Sequence, residues 1–338
     1  MSAAGKSACV AWAPGRVNLI GEHTDYSGGL VLPVAIQLGI SLDVASVADD
    51  VLLVSERFGA AAPFAADGGG PLATGWARYA QATAVELDIL GRAPVGLTGT
   101  LASDLPTGAG LSSSAALEVA VGLALCAVAQ FELEPLQLAL ACQRAELRAV
   151  GVPCGILDQA ASLLAQEGHA LLLDCGTLDH RLVELPAAAA LVVVDSGVER
   201  SHETSGYALR RQELEAGMPS RVRHVATENE RVRTFAAAFA RGDLEVAGRA
   251  LFESHASLRD DYEVSIPELD LLVELAEASS ALGARLLGGG FGGAILALTE
   301  LDRAEQLATS IAAAYRERTG RGGDWFVPVA SAGAGIRR

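Results

Sequence analysis

The chain has 338 residues, a formal net charge of −16 and an isoelectric point near 4.8. Acidity on that scale excludes a nucleic-acid partner, because affinity for a phosphate backbone comes from clustered Lys and Arg. Hydrophobic residues make up 51% of the chain, but no apolar run is long enough to cross a bilayer and no secretory core opens the sequence, so a cytoplasmic protein of two medium domains, or one large one, is expected.

Residues 8–13 read as a strand, and a loop rich in polar groups follows over residues 14–36, carrying Arg16, Asn18, Glu22, His23, Thr24, Asp25 and Tyr26 between glycines. Apolar Val17, Leu19 and Ile20 alternate with those charges, which favours a folded cleft that reads hydroxyl groups over a solvated loop. Residues 39–47 and 51–55 read as a hairpin turning at Asp49 and Asp50. A Gly/Ala/Pro-rich connection over 59–71 leads to a helix over 74–90. Trp76 and Tyr79 share a face of that helix, where such a pair either stacks on a nucleobase or fills core.

A strand over 95–102 delivers the chain into LPTGAGLSSSAALE, residues 105–118. Gly108 and Gly110 can take positive φ, and Ser112, Ser113 and Ser114 occupy the first turn of an alanine-rich helix. The junction is either an ordinary capped helix or an anion site, since free amides and the positive end of the helix dipole point the same way. Lys6 is the only lysine in the chain. A Walker-type loop and a protein-kinase site both require a lysine on the phosphates. Any triphosphate handled here must therefore be met by helix amides, Mg2+ and arginine.

The next helix spans 136–150 and carries Glu146 late. Pro153 and Gly155 then break the chain before Asp158 opens a short helix, as either a dipole-favoured carboxylate or a catalytic one. Strands follow at 169–175 and 190–195, then helices at 202–216, 221–240, 244–258 and 266–282. Gly288, Gly290 and Gly293 spell GxGxxG, but they lead into a strand-like run over 294–298 where the dinucleotide fingerprint requires a helix. A strand, glycine loop and strand set against a phosphate or sugar is the better reading. A helix over 302–318 and a strand over 325–329 close the chain. The five cysteines form no CxxC pair and read as reduced thiols.

Taken together, several of these segments resemble the galactokinases of the GHMP small-molecule kinase superfamily. GRVNLIGEHTDY looks like the galactokinase signature, PTGAGLSSSAALEVA is similar to the superfamily's phosphate loop, and GARLLGGGFGGAILAL to its third motif. The resemblance implies an α+β fold of two domains, divided near residue 180, with mixed sheets, packed helices and the site between them. It implies phosphorylation of galactose at its anomeric hydroxyl by ATP with Mg2+, in a monomer or weak homo-oligomer. On the matching positions, Asp158 and Arg16 would be catalytic, and Glu22, His23, Thr24, Asp25 and Tyr207 would contact sugar. Gly108, Ala109, Gly110, Leu111, Ser112, Ser113 and Ser114 would hold phosphate, with Trp76 and Tyr79 near adenine and Ser114 and Glu146 on Mg2+.

An aspartate is a weak base, so Asp158 is expected to orient the hydroxyl and take its proton late, with Arg16 stabilising transferred charge. The rival readings are a related kinase for galacturonate, L-arabinose or N-acetylgalactosamine, and a non-catalytic galactose sensor. The intact Ser112–Ala116 run disfavours the sensor.

Overall fold

The computed structural model describes residues 9–106, 110–151, 154–199 and 203–337. Its strands are β1 (Cys9–Asn18), β2 (Leu30–Val31), β3 (Pro33–Ala48), β4 (Asp50–Ser55), β5 (Gly59–Ala60), β6 (Phe64–Ala65), β7 (Gly96–Ser103), β8 (His169–Asp174), β9 (His180–Glu184), β10 (Ala189–Asp195), β11 (Gly283–Leu286), β12 (Ala294–Glu300), β13 (Trp325–Phe326) and β14 (Gly335–Arg337). The helices are α1 (Ala77–Ile89), α2 (Ser113–Val128), α3 (Pro135–Val150), α4 (Leu157–Leu164), α5 (Glu203–Glu215), α6 (Pro219–Ala240), α7 (Leu244–Asp260), α8 (Pro267–Ala278) and α9 (Ala304–Thr319). Helix ends follow local chemistry. Pro135 occupies the first turn of α3, where its missing N–H costs nothing, and Gly151 ends that helix at φ 72°.

The first sheet runs β14-β1-β3-β7-β4-β5, with β6 also paired to β4. The hairpin expected across Asp49 and Asp50 does not form, because β7 lies between β3 and β4, antiparallel to one and parallel to the other. Gly96 opens that fork: a Cβ there would stand 2.3 Å from the Asp50 carbonyl oxygen, so only glycine lets β7 enter so close to the β3–β4 corner. A second correction concerns the loop expected over residues 14–36, of which 14–18 belong to β1, 30–31 form β2 and 33–36 begin β3. A shift in register between Pro14 and Arg16 marks a bulge, the device by which a strand re-aims a side chain.

The second large sheet runs β11-β12-β10-β13, and β2-β8-β9 form a small third one. Alanine-rich α2 is buried along nearly its whole length, its small side chains letting it lie close beneath β1 and β3. One apolar core takes in Leu19, Leu42, Val119 and Leu125 and runs on to Val232, Phe235 and Leu296, so both halves share it. The end of the chain returns to the first sheet: β14 pairs with β1, and the Arg337 guanidinium lies over the Trp12 ring. Among the described residues, no helix is long and apolar enough to cross a membrane.

Candidate active site

A cleft of about 580 Å³ opens where the bulge of β1, the start of α2, α3, α4, α5 and the loop after β11 meet. Arg16, Glu22, His23, Asp25, Tyr79, Gly110, Ser112, Ser113, Ser114, Glu146, Asp158 and Tyr207 all line it. The sequence places these residues up to 191 positions apart, and the fold brings them to one wall or another of a single cavity.

At its centre the Arg16 guanidinium holds Asp158. Nε donates to Asp158 Oδ1 at 2.7 Å, Nη2 stands 2.7 Å from the same oxygen, and Nη1 donates to the Gly110 carbonyl at 2.6 Å. Burial works against the Arg16 charge, yet Asp158 and Glu22 outweigh it and leave its pKa above the usual arginine value. The other oxygen of Asp158 accepts from Ser112 Oγ at 2.5 Å. Ser112 sits just before α2 at φ 61°, and its hydroxyl faces the carboxylate and makes no capping bond, which weighs against the ordinary capped-helix alternative. Gly110 and Leu111 likewise turn carbonyls toward Arg16, the Leu111 oxygen accepting from the Arg16 amide at 3.1 Å.

Beside this centre Ser114 Oγ donates to Glu146 Oε1 at 2.8 Å. Burial and the nearby Asp158 charge raise the pKa of Glu146. Farther along, a narrower slot of about 190 Å³ is lined by Phe58, Trp76, Tyr79, Leu101, Leu105 and Leu117, with Ser113 and Ser114 at its inner end. Trp76 stands just before α1, so Trp76 and Tyr79 flank the first turn of that helix.

The opposite wall is built differently. Glu22 is buried and receives three protein donors: Asn18 Nδ2 at 2.9 Å, Arg285 Nη2 at 3.1 Å and the Gly288 amide at 2.8 Å. Burial alone would raise its pKa, but Arg285 and Arg16 hold it below the ordinary carboxylate value. Arg285, 0% exposed, also donates to the carbonyls of Asn18, Leu19 and Leu286, riveting β1 to the second sheet. His23, at φ 62°, bonds Tyr26 through Nδ1 at 3.0 Å and the Gly289 carbonyl through Nε2 at 3.2 Å. The carbonyl requires Nε2 to carry the proton. Burial, with His224 adding to it, lowers the His23 pKa to about 3, so the ring is neutral.

Asp25 lies against the backbone of Gly155, where a Cβ would come within 1.9 Å of its carboxylate. Burial first, then the charges of Asp158 and Glu22, raise the Asp25 pKa to about 7.

Two expected residues lie off the cavity: Thr24 is buried and its hydroxyl serves the carbonyls of Gly21 and Leu30, which ties the loop to itself, and Leu111 is packed in the core, while Trp76 lines the slot and not the cleft. Gly108 and Ala109 fall outside the described residues. Sequence reasoning did not single out Arg57 and Phe58 in the slot, because an isolated residue after a short strand carries no periodic signal, and it read Cys154 only as a reduced thiol and Gly155 only as a chain break, though both line the cleft. Arg285 had a signal in hindsight, a lone charge inside an apolar β-prone run.

Three family profiles match the chain: "Galactokinase galactose-binding signature" over residues 2–45, "GHMP kinases N terminal domain" over 77–166 and "GHMP kinases C terminal" over 235–317. A galactokinase of Roseiflexus sp. (strain RS-1) is 39% identical over 357 aligned positions, covering 96% of this chain and 91% of that protein. The crystal structure of Lactococcus lactis galactokinase complexed with galactose superposes with a TM-score of 0.86 at 32% identity, over 97% of this chain and 95% of that one. Mevalonate kinase of Methanococcus jannaschii, at 18% identity, shares the fold with a TM-score of 0.72 over 96% of this chain and 98% of that one.

Proposed function

The chain belongs to the galactokinases of the GHMP kinase family, and on that premise we propose how its cleft works: ATP gives its terminal phosphoryl group to the anomeric C1 hydroxyl of galactose, leaving galactose 1-phosphate and ADP. The observation that carries the reading is the Arg16–Asp158–Ser112 junction, a carboxylate held by a guanidinium between a sugar-reading wall and a serine turn.

Phosphoryl transfer runs through a loose transition state, so positioning and charge stabilisation do most of the work. Asp158 orients the C1 hydroxyl and receives its proton as the O–P bond forms. Arg16 supplies the fixed cation that the missing lysine would supply elsewhere, aimed from the β1 bulge. Ser112, Ser113 and Ser114 turn to the phosphates, and the apolar slot between Trp76, Tyr79 and Phe58 takes the adenine.

Glu146 and Ser114 fit a Mg2+ site. Their oxygens stand 2.8 Å apart in the cleft, beside the end of the slot that Ser114 also lines, and among the described residues no cluster of three His, Cys, Asp or Glu is arranged for a metal. That suits a cation that takes most of its ligands from phosphate and water. When bound, Mg2+ would neutralise phosphate oxygens.

On the sugar wall, Asp25, His23, Tyr207 and Glu22 face the cavity, where a misplaced hydroxyl would leave buried polar groups unpaired. The division between the two domains is placed near residue 180. A panel of sugars with ATP and Mg2+, following ADP and locating the phosphorylated carbon by phosphorus NMR, tests the reading. Galactose 1-phosphate as the main product is expected. Turnover confined to galacturonate, L-arabinose or N-acetylgalactosamine, or no turnover at all, would overturn it.

A further inference from the structure

Gln159 follows Asp158 on α4 but serves the other end of the site. It is 0% exposed, and its single NH2 group reaches two carboxylates: Glu146 Oε2 at 2.8 Å and Glu118 Oε2 at 3.2 Å. Glu118 is itself 0% exposed and lies one helical turn beyond Ser114 on α2. Glu146 Oε2 also receives the Cys154 thiol at 3.3 Å, while among the described residues its Oε1 receives only Ser114. The two oxygens of Glu146 are thus made unequal: one is anchored inward by an amide and a thiol, the other is left toward the cleft.

We propose that Gln159, kept in its rotamer by Glu118, is the positioning residue that presents Glu146 Oε1 to the divalent cation of the bound nucleotide. The proposal rests on the Mg2+ reading above. A free carboxylate turns about its terminal bond and offers either oxygen, whereas a carboxylate pinned at one oxygen offers the other in a fixed place. Groups that orient a metal ligand in this way are commonly worth 10- to 100-fold in metal affinity. The amide suits the task where a carboxylate would not, because a further ionised carboxylate between Glu118 and Glu146 would have no hydrogen to donate to either. Glu118 fixes which way the amide points, since only the NH2 end can meet two acceptors. Among the described residues the side-chain oxygen of Gln159 and Oε1 of Glu118 have no hydrogen-bond partner, so packing economy alone does not account for the arrangement.

The test uses Mn2+ as a spectroscopic probe, titrated by electron paramagnetic resonance into the full-length protein with a non-hydrolysable ATP analogue. Gln159→Leu is expected to weaken Mn2+ binding 10- to 100-fold while galactose affinity stays within about twofold, and raising Mg2+ in the assay is expected to restore much of its turnover. Glu118→Leu is expected to show a smaller loss in the same direction. Should Gln159→Leu not fold, Gln159→Met fills similar volume without a donor and takes its place. Unchanged Mn2+ affinity, or equal loss of Mn2+ and galactose affinity, would overturn the assignment. If the wild-type protein with the analogue takes up no Mn2+ at all, it is the metal reading that fails, and the proposal with it.

Discussion

The two walls of the cleft solve the same problem, holding polar ligands out of water, in opposite ways. On the sugar wall the protein satisfies its own groups: Glu22 has three protein donors, and His23 has a partner on each nitrogen. On the phosphate wall the hydroxyls of Ser112 and Ser114 donate to Asp158 and Glu146, each holding a carboxylate that the proposed chemistry needs. On the proposed reading the first wall would be a rigid template whose selectivity comes from buried groups that cannot rearrange. The second would be a set of paired groups that exchange partners when nucleotide arrives. Selection and catalysis are thereby assigned to different walls, with Arg16 and Asp158 at the seam.

The sharpest way to break that division is Arg16→Ala. Loss of one preorganised charge at a site of phosphoryl transfer is expected to lower kcat about 100- to 1,000-fold, with galactose affinity nearly kept, as equilibrium dialysis with labelled sugar would show. A large fall in sugar affinity would mean that the guanidinium belongs to the template.

Asp25→Ala should do the converse, raising the KM for galactose by roughly 10- to 100-fold through unpaired hydroxyls and leaving the KM for ATP close to wild type. Steady-state kinetics with each substrate varied in turn separates the two, and equal losses would make Asp25 a structural residue.

Trp76→Ala sharpens the nucleotide side: removing one face of a stacked base is expected to raise the KM for ATP roughly tenfold with galactose KM unchanged.

The smallest expected effect is on pH. The folded-state pKa of Asp25, about 7, lies above its ordinary value of 3.8, so the fold binds a proton there that the unfolded chain has released. That contribution to stability is present at low pH and fades as pH rises toward 7. Sugar hydroxyls donate to the ionised form, so galactose binding should tighten as pH rises through about 7 and release a proton near pH 6.5. Calorimetry in buffers of different ionisation enthalpy would detect the proton, and Asp25→Asn should abolish it.

Much of this was legible in the sequence because the glycine-bounded motifs are local. The serine turn, the signature loop and the strand–glycine–strand segment each keep their chemistry within a dozen residues, and the absence of lysine beyond Lys6 already pointed to arginine. What was not legible depends on pairings across the chain. Nothing in residues 39–55 announces that β7 will separate β3 from β4, since the permission lies in Gly96, forty residues on. Residues 14–18 of the loop expected over 14–36 became strand because β3 pairs with them through Val17 and Asn18, a tertiary override of local polarity. Arg285 and Gln159 share one reason for being missed: each acts on another side chain, and only a folded chain shows which.

The central claim, that Asp158 acts on the reacting hydroxyl while the walls merely bind, is tested most directly by rapid-quench single-turnover measurement on Asp158→Asn with both substrates saturating. A fall of about 100- to 10,000-fold in the rate of galactose 1-phosphate formation, with both dissociation constants within a few-fold of wild type, is the predicted result. A chemical step near the wild-type rate would contradict it.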